Sequence, residues 1–156
     1  MEKKFVIKSE EEMIRLGEVI GQLAFPSLVI TMHGDLGAGK TTMTKGIGKA
    51  LGVKRVINSP TFTIMKVYEA NLTLYHMDVY RINNDSGDEY LEEYFYLDGV
   101  TVIEWADNIS NLLPKDRIEI DIVIDNDFNR VVTIKANTDN PSYLNLLEGI
   151  KLWKSY

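Results

Sequence analysis

The chain has 156 residues, enough for a single domain over 1–156 whose core buries roughly 70% of the unfolded surface. Hydrophobic residues make up 45% and charged residues 26%, an ordinary globular composition. A net charge of −6 argues against a free-standing nucleic-acid binder, and the absence of cysteine excludes disulfides and thiolate metal or redox sites.

Residues 3–8 read as a short strand in which Phe5 and Ile7 alternate with polar neighbours. Ser9 and Glu12 form a capping-box pair, and Met13, Leu16, Ile20 and Leu23 follow at helical spacing until Pro26 stops the helix. Residues 28–32 are a continuous apolar run, the pattern of a strand buried on both faces. A glycine-rich loop follows at 34–39. Met43, Ile47, Ala50 and Leu51 then mark a second helix, with Gly52 placed to end it. Residues 62–68 and 72–80 alternate and are expected to pair as an antiparallel hairpin. The acidic stretch 85–98 carries Tyr90, Leu91, Tyr94 and Phe95 at helical spacing. It is a candidate partner surface, but apolar residues so spaced more commonly face a core. Residues 100–103 are a second buried strand. Pro114 marks a break, 118–124 and 131–134 are further strands, and Leu144, Leu146, Leu147 and Ile150 predict a C-terminal helix. No leader pattern opens the chain, and no apolar run approaches the ~18 residues that span a bilayer. The expectation is a cytoplasmic protein without membrane contact.

Gly34-Asp35-Leu36-Gly37-Ala38-Gly39-Lys40-Thr41 fits the phosphate-loop pattern G-x-x-x-x-G-K-[ST] at every fixed position. Glycines let successive backbone N–H groups converge on one anion, and the following helix adds its positive N-terminal end. Lys40 is the candidate for the β- and γ-phosphates, and the Thr41 hydroxyl for Mg²⁺. A glycine turn that happens to precede a lysine is the weaker alternative, because the loop lies between a buried strand and an amphipathic helix.

Such loops need a second acid near the metal, at the end of a buried strand. Glu104 and Asp78 both qualify. Glu104 has the more apolar approach, so its strand is expected to be the more central. Asp78 has an alternative role as a structural partner of Arg81. His76 and Asp78 share a strand face, which raises a metal pair, but a satisfied structural histidine is the better reading. His33 abuts the loop and reads as a packing residue. The segment Ser59-Pro60-Thr61-Phe62-Thr63 is either a switch loop that brings a hydroxyl to the phosphate or a plain turn.

The loop with Thr42, the Ser59-Pro60-Thr61-Phe62-Thr63 segment, His76-Met77-Asp78-Val79-Tyr80-Arg81, Glu104-Trp105 and Leu113-Pro114, in that order, resemble the TsaE family. The resemblance covers about residues 5–130. It implies an α/β, P-loop NTPase-like three-layer fold with a mixed parallel and antiparallel central sheet. It implies a weak Mg²⁺-dependent ATPase that acts with TsaD and TsaB in threonylcarbamoyl modification of the adenosine beside the tRNA anticodon, with tRNA reached only through that complex. By resemblance, Gly37, Ala38, Gly39, Lys40, Thr41 and Thr42 bind nucleotide, and Thr41 and Glu104 hold Mg²⁺. Asp78 and Thr61 lie near the γ-phosphate, Trp105 near the nucleotide, Glu10 near the base, and Arg130 matches a basic residue near the nucleotide. Many members carry a proline and an acid after the Glu-Trp pair; this chain has Ala106-Asp107.

Three rival readings share the loop. A small-molecule kinase needs an acceptor pocket and an arginine-bearing lid, and no lid insertion is visible. A GTPase needs an N-K-x-D motif, which is absent. A nucleotide-sensing adaptor would bind ATP without releasing phosphate, against which the intact Lys40, Thr41 and Glu104 argue.

Overall fold

Val29–His33 (β2) forms the middle of the sheet, and four of its five residues are buried. The computed structural model describes residues 1–60 and 63–151. The strands are β1 (Glu2–Ile7), β2, β3 (Met65–Tyr68), β4 (Leu74–Asp78), β5 (Val100–Glu104), β6 (Ile118–Ile124) and β7 (Arg130–Ala136). They make one seven-stranded sheet in the order β1-β7-β6-β2-β5-β4-β3. β6, β2, β5 and β4 run parallel. β1, β7 and β3 are attached antiparallel at the margins. The sheet is therefore mixed, as expected. The 65–68 and 74–78 pair is the expected hairpin, and β5, fully buried, is the strand beside β2.

Two helices, α1 (Glu10–Gln22) and α2 (Lys40–Leu51), cover one face. Ser9 caps α1 by accepting from the Glu12 N–H at 3.1 Å. The helix ends at Gln22, short of Pro26, because Leu23 already closes its last turn onto the Val19 and Ile20 carbonyls. α1 and α2 approach closely where glycines face backbone. A Cβ on Gly17 would collide with the Met43 carbonyl oxygen, and one on Gly46 with that of Ile14. This contact sets where α2, and hence the loop before it, sits on the sheet. The helix-side core joins Met13, Leu16, Ile20, Met43 and Ile47 to Leu28, Ile30, Leu74, Val100 and Val102. A third helix, α3 (Pro141–Gly149), packs into the same cluster through Tyr143, Leu146 and Leu147.

Across the sheet, the second layer is built from two short 3₁₀ stretches, Glu89–Tyr96 and Ala106–Ile109. The acidic segment is thus 3₁₀ rather than α-helical. Leu91 and Phe95 enter a second core with Val29, Met77, Val79 and Ile103, while Tyr90 and Tyr96 are exposed. Tyr94 packs against the same core, so three of the four positions at helical spacing face the core and Tyr90 is left at the surface. Among the described residues no helix is long and apolar enough to cross a membrane.

Candidate active site

The chain leaves β2 at His33 and turns through 34–39 into α2. Gly37 (φ 81°) and Gly39 (φ 117°) hold left-handed conformations that an L side chain resists. Gly39 is the helix N-cap and contributes no side-chain capping bond, so the first N–H groups of α2 stay directed at the loop interior. Arg130, at the start of β7, fixes the loop from outside. Its Nε donates to the Ala38 carbonyl (3.2 Å), one terminal nitrogen to the Gly37 carbonyl (3.3 Å), and the other to the Phe128 carbonyl (2.8 Å).

Strand alternation gathers the acids. On β4 and β5, Leu74, Val100 and Val102 belong to the helix-side core, so His76, Asp78 and Glu104 point to the same side, toward the start of α2. The parallel register sets Asp78 beside Glu104. Glu104 is 4% exposed, which rules out a solvated strand-end acid. Its carboxylate receives the His76 Nε2 at 2.7 Å and the Thr41 hydroxyl at 3.5 Å, and the Lys40 ammonium lies 4.0 Å away. Lys40 also stands over the Trp105 ring, 4.2 Å from its centroid. Trp105 itself takes a positive φ of 62° and meets Tyr80 edge-on.

His76 is fully buried and its Nδ1 has no hydrogen-bond partner. A carboxylate can only accept, so the short contact calls for a proton on Nε2. The expected satisfied histidine is thus met at one nitrogen: Nε2 pairs with Glu104, and Nδ1 has no partner among the described residues. No group of three or more acidic or histidine ligands clusters among the described residues. Asp78 is 6% exposed, and its Oδ1 accepts from the Tyr80 N–H at 3.0 Å. His33 Nε2 lies 3.2 Å from Asp107, at the rim and away from the Glu104 cluster.

On the other side of the loop lies an open cleft of about 310 Å³. It is lined by Ile7 to Glu10 and Met13, by Gly37, Ala38, Gly39 and Thr42 of the loop and α2, and by Phe128 and Arg130. The sequence-derived positions thus divide into two groups about the loop. Buried Lys40, Asp78 and Glu104 with half-buried Thr41 and Trp105 form the inner group; Glu10, Gly37, Ala38, Gly39, Thr42 and Arg130 line the cleft. Thr61 lies outside the described residues. Two features were missed by sequence reasoning: the His76–Glu104 contact, spanning 28 positions, and Phe128, which no motif marks.

The model of the family described as "Threonylcarbamoyl adenosine biosynthesis protein TsaE" matches residues 7–132. The chain belongs to the TsaE family. Among its relatives, the tRNA threonylcarbamoyladenosine biosynthesis protein TsaE of Bacillus subtilis (strain 168) is 47% identical over 127 residues, 81% of this chain and 80% of that one. The protein of the same name from Treponema pallidum (strain Nichols) is 40% identical over 131 residues, 83% of this chain and 97% of that one. The crystal structure of YdiB from Bacillus subtilis superposes with a TM-score of 0.85 at 38% identity, covering 96% of this chain and 94% of the other. TsaE membership and this superposition agree with the mixed α/β sheet described above.

The donors at the buried end suit Mg²⁺. Thr41 and Glu104 offer two oxygens 3.5 Å apart at the loop mouth. Mg²⁺ takes one or two such protein groups and fills the remaining positions with phosphate and water oxygens.

Proposed function

We propose that this chain binds ATP with Mg²⁺ and hydrolyses the β–γ phosphoanhydride bond, and that it does so as a subunit of tRNA threonylcarbamoyladenosine biosynthesis alongside TsaD and TsaB. The observation that carries the reading is the convergence of the buried Lys40 and Glu104 with the half-buried Thr41 at the mouth of a glycine loop. The role in tRNA modification extends to this chain what its TsaE relatives are named for.

The residues divide the work. Loop N–H groups and the start of α2 bind the phosphates, and Arg130 holds the loop carbonyls so that those N–H groups stay convergent. Lys40 moves from Trp105 and Glu104 to the β- and γ-phosphate oxygens, where it offsets the charge that builds on the bridging oxygen. Thr41 and Glu104 would hold Mg²⁺, which would neutralise phosphate charge when bound. Asp78, buried beside Glu104, orients the attacking water or the segment that carries it. The water oxygen bonds to the γ-phosphorus, the bridging P–O bond breaks, the water proton passes to the released phosphate or to solvent, and ADP and inorganic phosphate leave. In the structure, the Lys40 ammonium already has an aromatic face and a carboxylate as partners. Both contacts must be given up before it reaches phosphate, which favours slow turnover by the isolated chain. The charge of −6 supports a role in which another subunit holds the tRNA.

The experiment is phosphate release from ATP by the purified chain, alone and with TsaB and TsaD. Release that depends on Lys40 supports the reading. Nucleotide binding without any release, alone or with the partners, would support the adaptor instead.

A further inference from the structure

The turn between β6 and β7 carries a side chain that the fold does not use. Phe128 is 81% exposed and belongs to neither core cluster. Its backbone is left-handed, at φ 61°. For a bulky aromatic this is a strained conformation, and hairpin turns of this kind normally place glycine or asparagine there. The turn is nonetheless firmly built. The Asp125 side chain accepts from the N–H groups of Asp127 (2.9 Å) and Asn129 (3.0 Å), and its backbone pairs with Phe128 and Asn129. Arg130 then donates to the Phe128, Gly37 and Ala38 carbonyls together, so the backbone that carries the ring is anchored to the phosphate loop.

Phe128 shares the lining of the cleft with Ser9, Glu10 and Thr42. Phe128 is the only aromatic among the described residues that line it. Trp105 lies with Lys40 in the inner group and does not line the cleft. An exposed aromatic on an anchored turn beside a phosphate loop has the chemistry of a stacking surface, since every base has a π-face. We propose that Phe128 is the base platform of this site: the purine of the bound nucleotide stacks on its ring while the phosphates lie in the loop. This rests on the nucleotide reading above and adds the residue that separates a nucleotide from a bare polyphosphate. Stacking of this kind is tolerant of base identity, so the platform contributes affinity for purine nucleotides in general and leaves adenine selection to the polar groups of the cleft.

The test is titration calorimetry of the full chain with ADP, GDP and inorganic tripolyphosphate, for wild type, Phe128→Ala, Phe128→Trp and Phe128→Gly. Removing a stacked aromatic is worth roughly 1–3 kcal/mol, so Phe128→Ala should weaken ADP and GDP by the same factor, roughly 5- to 150-fold. Tripolyphosphate binding should stay within about twofold, and Phe128→Trp should bind ADP at least as well as wild type. Phe128→Gly should lose ADP affinity while melting no lower than wild type, because it relieves the left-handed strain. Unchanged ADP affinity in Phe128→Ala would overturn the proposal. So would an equal loss for ADP and tripolyphosphate, which would show that the turn acts through the loop. Wild-type protein that binds none of the three ligands would instead refute the nucleotide reading itself.

Discussion

Glu104→Gln keeps the shape of the side chain and removes its charge. Lys40 and Glu104 are 6% and 4% exposed and stand 4.0 Å apart. At that distance, with an effective dielectric constant near 20, their attraction is about 4 kcal/mol. The substitution forfeits it, but it also removes the cost of burying a carboxylate, which is several kcal/mol. The Trp105 face still holds the ammonium, for about 2 kcal/mol in a desolvated setting. His76 can still donate to the amide oxygen. The net loss of stability should be about 1–3 kcal/mol, or roughly 2–4 °C in melting temperature for each kcal/mol in a chain of this size. Function should suffer more. Metal-free ADP should bind within a few-fold of wild type, because the loop N–H groups and Lys40 remain. The Mg²⁺ midpoint of turnover should rise, and turnover should fall on the order of 10²–10³-fold. Asp78→Asn should also lower turnover but leave the Mg²⁺ midpoint close to wild type. The assay is Mg²⁺ titration of phosphate release for both variants. A strong midpoint shift in Asp78→Asn with none in Glu104→Gln would reverse the two roles. Wild-type turnover in both would place the acidic site elsewhere.

Lys40→Ala should lower phosphate release on the order of 10²–10³-fold; wild-type release by the purified variant would remove the loop from the mechanism. His76→Leu leaves the Glu104 carboxylate buried without the N–H now 2.7 Å from it, a charge-assisted bond worth about 1.5–3 kcal/mol. The Mg²⁺ midpoint should rise while metal-free ADP affinity holds, and an unchanged midpoint would make His76 a packing residue only. Hydrogen bonds from Thr138 and Asn140 hold the Asp116 carboxyl below its ordinary value of 3.8. Because its folded value is the lower one, the stability it contributes is present above the unfolded value and is lost as pH falls through the folded one. Thermal melts should show Asp116→Asn destabilised at neutral pH, with the difference from wild type shrinking below about pH 4; a pH-independent difference would contradict this.

Local patterns carried much of the fold. The β2 run, the loop glycines, the Ser9 cap and the β3–β4 hairpin are written in neighbouring residues, and each stands in the structure. The two acids were legible because each ends an alternating or apolar strand. Their common orientation depends on the β4–β5 register, which no local pattern contains. The same holds for the His76–Glu104 bond and for Arg130, whose partners lie 92 and 93 positions away. The segment 85–98 misled because Leu91 and Phe95, four apart, suit an α-helix, whereas the acidic stretch between core strands closes in the tighter 3₁₀ form. Phe128 was invisible because a phenylalanine in a polar turn gives no sign of its left-handed backbone or of the cleft beside it.

The most direct test of the central claim is phosphate release from Mg–ATP by the purified chain, with and without TsaB and TsaD, with Lys40→Ala as the control. The account predicts slow release by the chain alone, faster release with both partners, and loss of both in Lys40→Ala. Release that is absent under every condition, or that survives in Lys40→Ala, would contradict it.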